Sequence, residues 1–142
     1  MALEAIEKED MKLFFKNGRL NTFKSWRLDK EGGAVCTSER LADAGFYSTA
    51  TATEPDSAKC IFCLKELIWE KEDDPWTEHR SRAGCPFVNL NKLENEWIVK
   101  DILELFVARD TKIKMQHAKE ALDDYYVNSQ RIVDNVKKCI GS

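Results

Sequence analysis

The chain has 142 residues, 33% of them charged, and a net charge of −3. That size supports one domain, or a small domain with an appendage, and the acidic balance disfavours a sequence-independent grip on nucleic acid. No apolar run approaches the ~18–20 residues of a membrane span, and the opening MALEAIEKED has neither a basic flank nor an apolar core, so a chain that stays inside the cell is expected.

Residues 1–12 are mixed and charged, with Leu3, Ile6 and Met11 spaced for a short amphipathic turn. From Met11 an apolar spacing runs through Leu13, Phe14, Phe15, Leu20, Phe23 and Trp26. Asn17-Gly18 is expected to break it, giving a helix, a turn and a second short helix capped by Asn21. Phe23 and Trp26 are core candidates. Gly32-Gly33 marks a loop, after which Thr37 is a good N-cap for a helix over 38–44, ended by Gly45. Phe46-Tyr47 starts a strand. Residues 48–59 are turn-forming, and the apolar-rich runs 59–62 and 64–69 read as a hairpin in a small antiparallel sheet. Asp74-Pro75 is a helix entry, with Asp as cap and Pro in the first turn, which puts His79 on a short helix. Gly84 lets the chain turn back, and Pro86 is expected to stop anything helical.

The window from Cys60 to Cys85 carries the chemistry. It holds Cys60, Cys63, His79 and Cys85, with fifteen residues between Cys63 and His79 and five between His79 and Cys85. Three thiolates and an imidazole form a closed tetrahedral set for one structural zinc ion. With all four positions filled by protein no water remains to be activated, so a catalytic metal is not expected. A redox Cys-x-x-Cys pair would need neither the His nor the third Cys. The remaining thiols, Cys36 and Cys139, lie far apart and read as small apolar residues, not as a disulfide framework. A unit this small and loop-rich needs such a staple.

After Asn91 the composition changes. Residues 94–140 contain neither Pro nor Gly, which predicts one long helix. One apolar stripe is Ile98, Ile102, Leu105 and Phe106, with Trp97 and Leu103 alongside. A second, Met115, Ala118, Leu122, Tyr125, Ser129, Ile132, Val136 and Cys139, alternates three and four apart as a heptad seam. Glu96/Lys100, Asp110/Lys114 and Asp134/Lys138 are spaced as i,i+4 ion pairs. The preceding domain is too short to cover such a helix, so the seam is expected to meet a partner; a helix broken near Asp110-Thr111 and folded back on itself is the bland alternative. His117 falls on the polar side. The fold class is therefore α+β. An N-terminal segment (1–12) precedes a zinc domain (13–90), and a long carboxy-terminal helix (91–142) follows.

The strings RLNTFKSW (19–26), CTSERLADAGF (36–46), EPD (54–56), CIFC (60–63), DDPWTEH (73–79) and GCPF (84–87) together resemble the baculoviral inhibitor-of-apoptosis repeat over about residues 15–90. The resemblance implies a three-stranded sheet with short helices around one zinc ion. A single repeat, one long helix and no RING resemble the family's mitotic members. For these the resemblance implies a non-enzymatic subunit of the chromosomal passenger complex. Its long helix would bundle with helices of borealin and inner centromere protein, and its repeat would read a phosphorylated histone tail, bringing an Aurora kinase to centromeres. It also implies residence at the spindle midzone and midbody, a cytoplasmic pool, and a homodimer when free, for which Trp97, Val99 and Ile102 are the contact candidates. The partner-helix seam is then Met115, Ala118, Leu122, Tyr125, Ile132 and Val136.

The spacings on both sides of His79 are each one residue shorter than the family's, near 67–69 and just before Ala83. Within the implied groove, the strand edge 64–68, including Glu66 and Leu67, would add an extended peptide as a further strand. Asp73, with Glu78 nearby, matches the position that receives a peptide's amino terminus, while Ile68 stands where the family has a carboxylate. Trp69 would wall the first side chain. Lys65 matches a phosphate contact, and Arg82 would substitute for an absent family His. Trp76 is assigned to packing. The competing reading uses the same groove for an inhibitor of apoptosis that binds caspases or their antagonist peptides; an enzyme is disfavoured because there is no second Cys/His array and the zinc is fully ligated.

Overall fold

A computed structural model describes residues 8–141. The amphipathic reading of Leu3 and Ile6 lies outside the described residues. The chain divides into two compact units, one ending at Arg109 and one running from Asp110 to the carboxy terminus.

In the first unit, helices α1 (Lys8–Lys12) and α2 (Lys16–Leu20) are followed by a 3-10 turn (Arg27–Lys30) and helix α3 (Ser38–Asp43). Three antiparallel strands follow, β1 (Phe46–Ser48), β2 (Ser57–Cys60) and β3 (Glu66–Ile68), in the order β1-β2-β3. The register pairs Tyr47 with Lys59 and Ala58 with Leu67. Helices α4 (Pro75–Ser81) and α5 (Pro86–Leu90) close the sheet's metal end, and a 3-10 turn (Glu94–Glu96) leads into α6 (Val99–Ile140). This is the expected α+β architecture.

The caps work as read. Thr37 accepts from Arg40 N–H, and Asp74 accepts from Thr77 N–H, ahead of Pro75. Phe23 and Trp26 are buried in the core with Phe14, Leu28, Leu41, Phe46, Phe62 and Trp69. Their rings meet edge to face at 5.2 Å, and the Trp26 indole donates to Cys36 O at 3.2 Å.

Four local expectations fail for identifiable reasons. Asn17-Gly18 does not break a helix but lies inside α2, and Asn21 is its C-cap, not the start of another. Gly18 is there for proximity, because a Cβ would sit 1.9 Å from Lys12 O. Pro86 opens α5 instead of stopping a helix, since its missing N–H costs nothing in the first turn. The long helix begins at Val99, not at 94. Trp97 is extended (φ −67°, ψ 137°), and the Asp101 carboxylate takes Ile98 N–H at 3.0 Å, fixing the helix start there. Lys92 backs that carboxylate at 2.9 Å and helps hold its pKa below the usual range, after the Ile98 N–H bond.

Of the three ion pairs read from spacing, Asp110–Lys114 forms at 3.0 Å. Lys100 turns instead to Glu104 at 3.4 Å, because the Glu96 carboxylate accepts Leu93 N–H. Asp134 accepts from Gln130 at 2.9 Å.

The first apolar stripe, which starts one residue before α6, divides by depth. Leu105 is buried and Phe106 packs on the core, whereas Ile98 and Leu103 are more than half exposed. In the second unit, Met115, Leu122, Tyr125, Ile132 and Val136 are all exposed, as are Ala118, His117 and Cys139, with Ser129 half-buried among them. No helix among the described residues is long and apolar enough to cross a membrane.

Candidate metal centre and peptide edge

Strand β2 ends at Cys60, and the chain turns at once through Ile61, Phe62 and Cys63. The N–H groups of Phe62 and Cys63 point at the Cys60 sulfur, 3.4 and 3.5 Å away. Leu64 closes the turn in the left-handed region (φ 65°), its N–H returning to Cys60 O at 2.9 Å. Helix α4 brings His79 from the other side, and the chain reverses at Gly84 (φ 95°) to deliver Cys85 as the residue before α5.

The four ligand atoms lie within 4.8 Å of one another, and all four residues are buried. Cys60 Sγ to Cys85 Sγ is 3.9 Å, and Cys63 Sγ to His79 Nε2 is 3.5 Å. A tetrahedron with zinc–sulfur bonds of ~2.3 Å and zinc–nitrogen bonds of ~2.0 Å has edges of about 3.8 and 3.5 Å. The cage therefore fits one zinc ion. His79 Nδ1 donates to Ala44 O at 2.7 Å, which leaves Nε2 facing the three sulfurs.

Burial, then hydrogen bonding with Cys63 and Cys85, raises the Cys60 pKa. Hydrogen bonds from Cys60 and Cys85 lower that of Cys63 strongly. A bound cation would take the place of the protons that the sulfurs otherwise share. Gly45 is indispensable to the packing here. Its φ is 96°, and a Cβ would stand 3.0 Å from the Phe87 ring and 3.6 Å from Cys60 Sγ. Aromatic rings shield the cage, with Phe46 4.6 Å from the His79 ring and Phe62 stacked on Phe87 at 4.9 Å.

The groove candidates fall along and beyond β3, an outer strand paired on one side only. Lys65 donates from Nζ to Ala83 O at 3.2 Å, tying the knuckle to the loop before Cys85. Glu66 accepts from Ser57, itself bonded to Thr49, and these hydroxyls lower its pKa. Leu67 is half-buried and Ile68 is 60% exposed. Trp69 is 2% exposed, edge-on to Phe46 at 4.8 Å, and its indole N–H has no partner among the described residues. Asp73 accepts Glu70 N–H at 2.8 Å in the turn that follows. Glu78 on α4 and Arg82, the residue that follows that helix, approach to 3.9 Å, both partly exposed. Trp76 packs as expected, stacked on Phe87 at 5.5 Å and donating to Asp43. Of the dimer candidates, Val99 is 73% exposed and Ile102 half-buried, while Trp97 packs 6.2 Å from both Phe15 and Phe87.

Two arginines matter here that spacing did not single out. Arg19 is 1% exposed and donates to Ala42 O and Leu13 O. Arg109 donates to Ile61 O, inside the metal knuckle, and to Asp10. No periodicity marks either, since both use long side chains to reach backbone carbonyls far away in sequence.

A family profile described as "BIR: Inhibitor of Apoptosis domain" matches residues 19–89. "Chromosomal passenger complex protein bir-1" of Caenorhabditis elegans is 37% identical, aligned over 97% of this chain and 90% of its own length. "Baculoviral IAP repeat-containing protein 5" of Mus musculus is 39% identical over 76% of this chain and 82% of its own. "Baculoviral IAP repeat-containing protein 5.2-A" of Xenopus laevis is 41% identical over 76% and 68%. Repeats of this family hold zinc structurally, and the buried Cys60, Cys63, His79 and Cys85 cluster is this chain's site for one ion. The chain belongs to the baculoviral inhibitor-of-apoptosis repeat family, as a survivin-like member with one repeat and one long carboxy-terminal helix.

Proposed function

We propose that this chain is a non-enzymatic subunit of a chromosomal passenger complex, acting at chromosomes and centromeres and then at the spindle midzone and midbody. Residues 13–90 form its reader and the helix beyond them recruits partners. The observation that carries the proposal is the exposed seam of Met115, Leu122, Tyr125, Ile132 and Val136, apolar residues that no described part of the second unit covers. Apolar surface on that scale calls for a partner, and a heptad repeat calls for helices. The name of the worm relative, aligned over nearly the whole chain, supports the same reading. The partners proposed are helices of borealin and inner-centromere-protein type, with Aurora kinase attached indirectly. A homodimer through Trp97, Val99 and Ile102 is the state proposed when these are absent. Four protein ligands leave no open position for a metal-bound water, which supports a structural role for that ion.

The reader is proposed to add a phosphorylated histone tail to the open side of β3. Lys65 and Arg82 contact the phosphate, and Asp73 with Glu78 holds the amino terminus, while Trp69, expected to wall the first side chain, is buried against Phe46 and supports the edge from within the core. Two experiments test the proposal. Leu122→Glu is expected to abolish co-purification with the partner helices while leaving zinc content intact; normal co-purification sinks the seam. In calorimetry, a histone-tail peptide with phosphothreonine is expected to bind more tightly than the unmodified peptide, with Lys65→Ala narrowing the gap. Equal affinity for the two would favour an inhibitor of apoptosis that takes caspases or their antagonist peptides in the same groove.

A further inference from the structure

Arg19 presents a problem of charge. Its side chain is 1% exposed, and although burial pulls its pKa down to about 10, the guanidinium is still cationic at neutral pH. A buried charge without a counter-charge is strongly destabilising. Its two hydrogen bonds go to neutral carbonyls, Ala42 O at 2.9 Å and Leu13 O at 3.0 Å. The nearest carboxylate oxygen, on Glu94, is 3.9 Å away on a side chain that is 39% exposed, and such a pair is loose.

Apart from Asp101, which is already paired with Lys92, the other buried charge of this unit among the described residues is the metal cage. One zinc ion with three thiolates and a neutral imidazole carries a net charge of about −1. Arg19 reaches toward it in three ways. Its guanidinium carbon lies 5.7 Å from the centre of the Phe62 ring, inside the knuckle, and 5.6 Å from that of Phe87, two residues beyond Cys85. After Glu94, and ahead of Asp43, Cys60 is the group whose negative charge, as a metal-bound thiolate, would raise the guanidinium's pKa. Both Arg19 and the ligand His79 are moored to the carboxy-terminal end of α3, Arg19 at Ala42 O and His79 at Ala44 O. That end carries the negative pole of the helix, so it holds two donors in fixed relation.

We infer that Arg19 is the counter-charge of the zinc–thiolate cage, a positioning residue through which helix α2 sets how tightly the metal is held. A plain brace would need only the fork of hydrogen bonds. A counter-charge needs the positive charge, even on a side chain that cannot make both bonds.

The full-length chain tests this by zinc competition with a chromogenic chelator, on wild type and three variants checked for folding by circular dichroism in excess zinc. Arg19→Met keeps the stem and removes the charge, and is expected to weaken zinc binding by at least ~10-fold, the lower range for a group that supports metal ligands. Arg19→Lys keeps the charge without the fork and is expected to recover most of that loss. Glu94→Gln removes the competing anion while its amide oxygen still accepts Lys16 N–H, a bond of 2.8 Å to the native carboxylate. It is expected to tighten zinc by about 2- to 5-fold, the scale for one partly exposed charge. Wild-type affinity in Arg19→Met, equal losses in the Met and Lys variants, or no gain in Glu94→Gln would each overturn the assignment. If Arg19→Met does not fold, Arg19→Lys is expected to hold zinc within about 3-fold of wild type, and a loss of ~10-fold or more in it, or no gain in Glu94→Gln, overturns the assignment.

Discussion

Stripping the zinc should unfold the first unit, and the dimensions of its elements say why. Helices α1 to α5 have five to seven residues each, and the strands have three or four. Isolated helices under ~12–15 residues are marginal in water, so none of these elements stands alone. The buried core includes Cys60, Cys63 and Cys85 themselves, with His79 beside them. Without an ion these groups become buried polar atoms with poor partners. Structural zinc contributes about 10–16 kcal/mol in small fingers, against a net stability of about 5–15 kcal/mol for a whole domain. Removal should therefore exceed what the rest of the core supplies. Trp26 and Trp69, each 2% exposed, report on this directly. A tight chelator should shift tryptophan emission to the red and abolish the urea transition, and one equivalent of zinc should restore both. A metal-free sample, verified by elemental analysis, whose emission and urea midpoint match the loaded protein would refute the reasoning.

Two further outcomes follow from single positions. Gly45→Ala should destabilise the first unit by about 1–3 kcal/mol in urea and weaken zinc retention, because it combines a left-handed backbone (φ 96°) with a Cβ 3.0 Å from Phe87; wild-type stability would show that the turn relaxes freely. Cys36 tests pH linkage. Burial, helped by the charge of Asp73, pushes its thiol from 9.0 up to about 12, so the folded chain keeps a proton that the unfolded chain loses. That stabilisation is complete below about pH 9 and is lost as the pH climbs toward 12. Urea midpoints of wild type and Cys36→Ala should thus run parallel up to pH 9 and converge above it. Parallel curves throughout would mean that the thiol is not held protonated.

What the sequence revealed and what it concealed differ in physical kind. The metal ligands were legible because zinc demands particular residue types, and few other reasons crowd three Cys and a His together. Caps at Thr37 and Asp74 were legible because capping is a local bargain within four residues. Asn17-Gly18 misled because the glycine answers to Lys12 O, a contact that composition cannot express. Pro86 misled because proline both ends helices and starts them, and only the position of Cys85 decides which. Arg19 and Arg109 stayed hidden because their work is done at carbonyls 23 and 48 residues away. Local chemistry reads forward along a chain, whereas a long side chain's destination is a property of the fold.

The fate of the apolar residues ties these strands together. Up to Arg109 the large aromatic and aliphatic side chains mostly find cover, and where the elements are too short to provide it a metal cage gathers them. From Asp110 onward the chain keeps a comparable spacing of Leu, Ile, Val, Met and Tyr but leaves those residues open to water. A solvated helix would be more soluble with polar residues at Leu122, Tyr125, Ile132 and Val136, and keeping apolar ones there at three- and four-residue intervals has a use only if something apolar meets them. The first unit uses its apolar surface for folding, with zinc making up the shortfall; the second leaves its apolar surface exposed, and the proposal is that another helix covers it. That contrast is why losing the metal and mutating Leu122 should fail differently, the first by unfolding and the second by loss of partners from a protein that still holds its zinc.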